Sequence, residues 1–330
     1  MSSVAVVILN YNGSHFLRKF LPTLIKYSPT GTIYVADNCS TDDSLEALRA
    51  FPEVHTIVLE ENTGYAGGYN NALAQIEADY YALVNSDIEV SADWLDPLTA
   101  FLDSHQKYAA VQPKILDYNN KAYFEYAGAS GGFIDILGYP YCRGRIFDTL
   151  EKDEDQYDEV IDVFWTTGAC FMVRSSCFHE LGGFPADFFA HMEEIDLCWR
   201  LNSHHQKLAC IPDSVVYHVG GGTLNKTSPH KTYLNFRNNF RLLIRNIPRN
   251  RLWYILPIRI ILDWFAGLLF WKNNSFAHFT AILKAHKHAM GSIRKDLKNE
   301  KRSLPPTNEA ILTQYYLGGK KRYSQLNSTK

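Results

Sequence analysis

At 330 residues, 46% of them apolar and 21% charged, the chain can bury a substantial core as one large or two moderate domains, which excludes a disordered or low-complexity protein. The net charge of -2 conceals a division: residues 226–330 hold 20 Lys+Arg against 4 Asp+Glu, while residues 1–225 hold 13 against 31, so the C-terminal region is expected to meet something anionic. Six cysteines with no Cys-x-x-Cys pair exclude a zinc framework and a disulfide-stapled scaffold; with MSSVAVVILNYNG reading directly as a first strand and no signal peptide, free thiols and a cytoplasmic setting are expected.

Val4 to Leu9 reads as a buried strand, turned by Tyr11-Asn12-Gly13 into a helix over 14–26. A short β-branched strand over 32–36 ends at Asp37-Asn38, and a second helix is expected from 40–43, where Thr41, Asp42 and Asp43 suit a helix N-terminus. A third strand over 56–59 leads through the glycine-rich ENTGYAGGYNNAL into a helix reaching about residue 78. The fourth strand, 80–84, stops at Asn85-Ser86-Asp87. This alternation predicts right-handed crossovers and an α/β architecture, a mostly parallel sheet flanked by helices. Ligands bind such sheets beyond the carboxyl ends of the strands, which is where Asn10–Asn12, Asp37 and Asp87 fall. Region 110–165, rich in Gly and Tyr, reads as antiparallel strands and loops. A helix is expected near Glu193, and a last strand over 215–219 runs into Gly220-Gly221-Gly222.

Each candidate site has a structural reading beside its chemical one. Asn85-Ser86-Asp87 is turn chemistry, yet it delivers a carboxylate to the tip of a central strand. Asp37 suits a capping position. Gly64, Gly67 and Gly68 punctuate a helix entry and match neither a Walker A sequence nor G-x-G-x-x-G after a first strand. Glu193, Glu194 and Asp196 favour a helix dipole, but three carboxylates within four residues repel, and one beside a cleft could have the raised pKa of a general base. A lone His218 is usually structural.

Read in order, VVILNYNG, VADNCSTDDS, ENTGYAGGYNNAL, ALVNSDIEV, GACFMVRSSCFHELGGFPADFFAHMEEIDLCWRL and VYHVGG resemble a family 2 glycosyltransferase of the bacterial rhamnosyltransferase-like branch, over roughly residues 4–222, with a weaker match through YLNFRNNFRLLIRN. The resemblance implies a GT-A fold, a Rossmann-like nucleotide-diphospho-sugar transferase sheet, as a catalytic domain over 1–225. It also implies inverting transfer from a UDP- or dTDP-sugar to a glycan or polyprenyl-diphosphate-linked acceptor in cell-surface polysaccharide synthesis. Asn85-Ser86-Asp87 then occupies the family's metal-binding DXD position, with Asn85 replacing the first Asp. Asp87 and His218 become the ligands of a divalent ion, Mn²⁺ or Mg²⁺, on the donor diphosphate. Asp37 and the turn Asn10, Tyr11, Asn12 are expected at the nucleotide, and Gly64, Gly67, Asn70, Asn85 and Ser86 near the donor. Glu194 takes the place of the family's base, with Glu193 and Asp196 as alternatives. Because Asn85 and Glu194 depart from the commonest motif, a catalytically silent nucleotide-sugar-binding partner in a glycan assembly complex is the alternative.

The remaining region, 226–330, is expected to be basic and helical. Phe236, Phe240, Leu243, Ile244 and Ile247 follow helical spacing beside Arg237, Arg241 and Arg245. After Pro248, LWYILPIRIILDWFAGLLFW approaches the length of a membrane span but is interrupted by Pro257, Arg259 and Asp263. It is read as an in-plane segment seating the enzyme on the anionic inner face of the cell membrane, with packing on the catalytic core or a homodimer contact as the other uses. Interleaved tryptophans and aliphatics, and the lack of a recognisable module, argue against nucleic acid.

Overall fold

The computed structural model describes residues 2–220, 228–273, 275–307 and 310–326. Its first 85 residues alternate strand and helix: β1 (Val4–Asn10), α1 (Ser14–Lys26), β2 (Gly31–Asp37), α2 (Ser44–Leu48), β3 (His55–Val58), α3 (Gly64–Leu73) and β4 (Tyr80–Asn85). The apolar runs explain the arrangement, because Val4–Ile8 and Tyr80–Val84 are buried on both faces and only a sheet covered on both sides accommodates them. β1 lies between β2 and β4, parallel to both, so that Asn10 pairs with Asp37 and Leu9 with Asn85. The carboxyl ends of the first strands are thus aligned.

The chain continues through β5 (Ile88–Val90), α4 (Asp96–Ser104), β6 (Tyr108–Asp117), β7 (Gly132–Ile134), β8 (Pro140–Cys142), β9 (Arg145–Ile146), β10 (Thr149–Leu150), β11 (Ile161–Asp162), β12 (Cys170–Arg174), α5 (Ser175–Glu180), α6 (Glu193–Ser203) and β13 (Lys207–His218). Among the described residues the main sheet has the order β11-β13-β6-β12-β4-β1-β2-β3, with β5 on β13, and β7–β10 form a small antiparallel sheet. β12 runs antiparallel to both β4 and β6, so the sheet is mixed, parallel through β4, β1, β2 and β3 and again between β6 and β13.

Region 110–165 therefore holds one long central strand, β6, besides the expected short antiparallel ones. Gln112, Pro113 and Lys114 broke its apolar pattern in the sequence. The fold absorbs them: the Gln112 side-chain carbonyl accepts from the Thr167 N–H at 3.0 Å, and buried Lys114 pairs with Asp153 at 2.9 Å and with Asp158. Three bounds also differ from expectation. α2 begins only at Ser44, α3 ends at Leu73, and β13 starts at Lys207, with a register shift between Ile211 and Val215.

Three long helices follow, α7 (Pro229–Asn246), α8 (Arg249–Asn273) and α9 (Phe276–Gly291), and α8 continues through Pro257 instead of breaking there. One hydrophobic cluster joins Leu197 and Trp199 of α6 to Leu242, Leu243, Ile247 and Ile255, so the core runs across position 225 without a gap. All six cysteines are free.

Candidate active site

β5 and β13 pair antiparallel, with Ile88 opposite His218, and the Val219 N–H donates to the Asp87 carbonyl at 3.1 Å. This ladder sets two side chains 131 residues apart against each other: His218 Nε2 lies 3.1 Å from Asp87 Oδ1, and both are buried. Glu125, from the segment after β6, approaches the other side of the ring, its Oε1 3.2 Å from His218 Nδ1. That contact is an ion pair lacking hydrogen-bond alignment, for Nδ1 has no hydrogen-bond partner among the described residues. Burial opposes charge on His218, but the Glu125 and Asp87 carboxylates outweigh it and raise the imidazole to about 10. For Asp87, burial would raise the carboxyl, and the facing imidazolium holds it below the usual range instead.

Freed of its proton, His218 would join the Asp87 carboxylate as a donor set that fits a hard divalent ion. Cis ligands on an octahedral ion with bonds of about 2.1 Å are separated by about 3.0 Å, close to the observed spacing. A second acidic group, Asp153, Asp155 and Asp158, could also gather round a cation, but Lys114 already pairs with two of its carboxylates, Asp153 and Asp158.

The acidic residues of α6 divide into two classes. Asp196 accepts from Arg200 Nε at 2.8 Å, Arg245 Nε at 2.8 Å and Asn246 Nδ2 at 2.9 Å, and it is fully buried. Burial would raise its carboxyl, yet the Arg200 and Arg245 charges hold it down at about 2. Asp196 is thus a structural anchor between α6 and α7, and the alternative that made it a base is set aside.

Glu193 and Glu194 each keep one carboxylate oxygen without a hydrogen-bond partner among the described residues. Burial raises both carboxyls, and for Glu193 the neighbouring Glu194 charge adds to it. Glu194 is the more accessible of the two. The backbone leading to them is contorted: Phe189, His191 and Met192 all have positive φ, at 67°, 72° and 72°. Such conformations cost of order 1–3 kcal/mol each and persist only where the surroundings enforce them. Here α7 enforces them, since Asn238 Nδ2 donates to the carbonyls of Phe188, Ala190 and His191 at 2.8–2.9 Å.

The strand β12 joins the two groups. Its leading residue Ala169 accepts from the Asn85 N–H at 2.9 Å. The preceding Gly168 faces Glu194, so that a Cβ there would lie 3.5 Å from the Glu194 carboxyl carbon. Tyr65 also donates to the Gly168 carbonyl at 2.6 Å. The turn that carries Asp87, through Asn85, and the Glu194 carboxyl therefore meet at one dipeptide.

Other expected site residues have different uses. Asp37 is buried, its two oxygens taken by Asn10 Nδ2 and the Ser40 N–H, both at 2.9 Å, so it ties β1 to the following turn instead of standing open to a nucleotide. Asn10 is likewise buried, whereas Tyr11 is exposed at the rim and the Asn12 side-chain Oδ1 accepts from the Thr41 N–H at 2.7 Å. Asn70 is occupied at both ends by the Phe184 backbone. Gly64, at φ +73°, lets the 186–192 segment approach, for a Cβ there would sit 2.4 Å from the Phe189 carbonyl oxygen; Gly67 makes room for Thr63. In each case packing and backbone satisfaction engage polar and glycine positions that the sequence offered as ligand contacts. Asn85 and Ser86 remain half-buried beside Asp87, while Gly221 and Gly222 lie outside the described residues. Glu125 and Tyr65 were missed, because neither has a periodic or spaced signal and only the fold brings them to the site.

Residues 5–182, just over half of the chain, match the family model described as glycosyl transferase family 2. The chain belongs to this family. Family 2 relatives include the N-acetylglucosaminyl-diphospho-decaprenol L-rhamnosyltransferase of Mycobacterium tuberculosis, 24% identical over 271 residues, covering 77% of this chain and 87% of that one. Among solved structures, Staphylococcus aureus TarS 1–349 in complex with UDP-GlcNAc superposes with a TM-score of 0.56 at 16% identity, covering 96% of this chain and 92% of that one. GalNAc-T7 with UDP, GalNAc and Mn²⁺ gives a TM-score of 0.60 at 16% identity, covering 93% and 59%. The GT-A fold expected from the motifs is thus the fold observed, and this family 2 chain is a glycosyltransferase.

Proposed function

We propose that the chain is an inverting glycosyltransferase that moves a sugar from a UDP- or dTDP-sugar to a glycan acceptor carried on a polyprenyl diphosphate. The reading is carried by one observation: the Asn85–Asp87 turn, whose Asp87 faces His218, and the Glu194 carboxyl of raised pKa both reach the Gly168–Ala169 dipeptide. The mycobacterial relative, a rhamnosyltransferase of a diphospho-decaprenol substrate, suggests the lipid-linked acceptor and the rhamnosyl class, and the UDP-GlcNAc complex of TarS and the UDP and Mn²⁺ complex of GalNAc-T7 suggest the uridine nucleotide and the ion.

Asp87 and His218 would hold Mn²⁺ or Mg²⁺, which would neutralise charge developing on the departing diphosphate. Glu194 accepts the proton of the acceptor hydroxyl as its oxygen bonds to the anomeric carbon. The bond to the diphosphate breaks on the opposite face and takes its electron pair with it, so the configuration inverts without a covalent intermediate. Burial, which raises the Glu194 carboxyl to about 7, keeps that base protonatable near neutrality.

The membrane setting is part of the same reading. One helix, Arg249–Lys272, is long and apolar enough to cross a bilayer. Yet Arg259 and Asp263, which interrupt its sequence, point at the protein: Arg259 donates to the Leu137 carbonyl and to Asp263 at 3.2 Å, and Asp263 also meets His286 at 3.0 Å. Its outward side is left with Trp253, Ile261 and Phe265, 76%, 66% and 61% exposed, and no charge among them. Lying in the plane of the cytoplasmic leaflet covers this face and keeps the buried charges paired.

The test is hydrolysis of a panel of UDP- and dTDP-sugars by the full chain with Mn²⁺. Turnover of one donor that is lost in chelator, and lost in Asp87→Ala, supports the reading; full activity of that variant in chelator refutes the metal role. No turnover of any donor in the panel favours the silent binding partner.

A further inference from the structure

Between α7 and α9 lies an open groove of about 540 Å³, lined by Asp187, Tyr233, Arg237, Arg241, Lys287 and His288. Its charge is one-sided. Asp187 is shared between Arg241 at 2.6 Å and Lys295 at 2.8 Å, and Asp296 is buried beneath Arg241. Arg237 donates to backbone carbonyls of Asp187 and Phe188, and Lys284 lies 5.5 Å above the Tyr233 ring. Among the described residues neither of these two cations, nor Lys287, is paired with a carboxylate.

Two further features specify what could fill the groove. The α9 helix carries exposed Phe276, Leu283 and Met290 seven residues apart, immediately beside Lys284 and Lys287. The basic wall thus borders an apolar stripe, whose Phe276 end meets Trp271 of α8, as befits a molecule with a charged head and a hydrocarbon tail. Second, the opposite wall, Asp187, is in the segment that leads directly to Glu193 and Glu194.

We infer that this groove binds the phosphate group of a membrane-borne molecule. Two sources share that chemistry, the diphosphate of a prenyl-linked acceptor and the headgroup of an anionic phospholipid. The inference rests on the membrane part of the functional reading only for its preferred source, the acceptor.

Flotation of the full chain on vesicles tests it without any turnover. Neutral phosphatidylcholine vesicles are prepared plain, with farnesyl diphosphate, or with phosphatidylglycerol. The wild type should float better with either anion than on plain vesicles, and Lys284→Glu/Lys287→Glu should lower that anion-dependent binding by about five-fold or more, as expected for lysines at an anionic surface. Loss confined to farnesyl diphosphate assigns the groove to the acceptor, and loss confined to phosphatidylglycerol assigns it to the headgroup. Both lysines are exposed, and Lys284→Gln/Lys287→Gln, with near-ultraviolet circular dichroism compared with wild type, guards against a folding artefact. Equal flotation of wild type and both variants on all vesicles overturns the inference. Donor hydrolysis is read without vesicles, so the groove and the proposed transfer can fail independently.

Discussion

Glu194 has one oxygen that no described residue satisfies, in surroundings that disfavour its charge. A group placed so is destabilising when ionised, and the sign is definite. Its folded pKa lies above the unfolded one, so its contribution to stability is complete below the ordinary carboxyl range, about 4.3, and is lost as pH rises through the raised value. Glu194→Gln should therefore melt at a higher temperature than the wild type at pH 8, with little difference at pH 4, while turnover falls by about 10²–10⁴-fold. The pH profile of kcat/KM should carry its acidic limb well above pH 4.3. A limb at the ordinary carboxylate value, or an unaffected Glu194→Gln, would move the base elsewhere. Asp87→Ala should retain the fold and lose Mn²⁺ binding measured by calorimetry, which separates ion binding from turnover.

At the scale of elements, the site depends on contacts between segments distant in the chain. Asp196 binds α6 to Arg245 and Asn246 of α7, and α7 in turn holds the positive-φ carbonyls ahead of the base. Removing one partner of a buried ion pair leaves charge uncompensated and typically costs about 3–5 kcal/mol. Asp196→Ala should therefore lower the urea midpoint, and substitution to Asn should recover only part of the loss. An unchanged midpoint would show that α6 and α7 are held by their apolar contacts alone. Gly64 acts at the other side of the same segment, where any side chain meets the Phe189 carbonyl and the backbone must keep φ +73°. Neither role is visible in the motifs, where both residues look like ligand contacts. Packing decides which of the motif positions face solvent.

For the whole molecule, the basic C-terminal region is the feature with the widest consequence. Three of its arginines are held by carboxylates, Arg241 by Asp187 and buried Asp296, Arg245 by buried Asp196, Arg259 by buried Asp263. The positive charge left for a partner resides mainly on lysines, while the outward face of α8 is apolar. Ile261→Ser/Phe265→Ser should thus reduce flotation on phosphatidylglycerol vesicles even at high salt, where the lysine contribution is screened. If the double variant floats normally but loses a concentration-dependent dimer in sedimentation, the face belongs to a second copy of the chain.

The sequence alone determined the alternating order of the first four strands, the position of Asp87 at a strand tip, and the family, because these rest on local patterns of period and turn chemistry. It also determined that the C-terminal region is basic and helical. Only the tertiary structure decided that β12 enters antiparallel, that Glu125 joins His218, that Asp196 is structural, and that Asp37 and Asn70 are spent on backbone. Those outcomes depend on which distant segments compete for the same hydrogen-bonding and charged groups, and that competition is settled only when the chain has closed around its core.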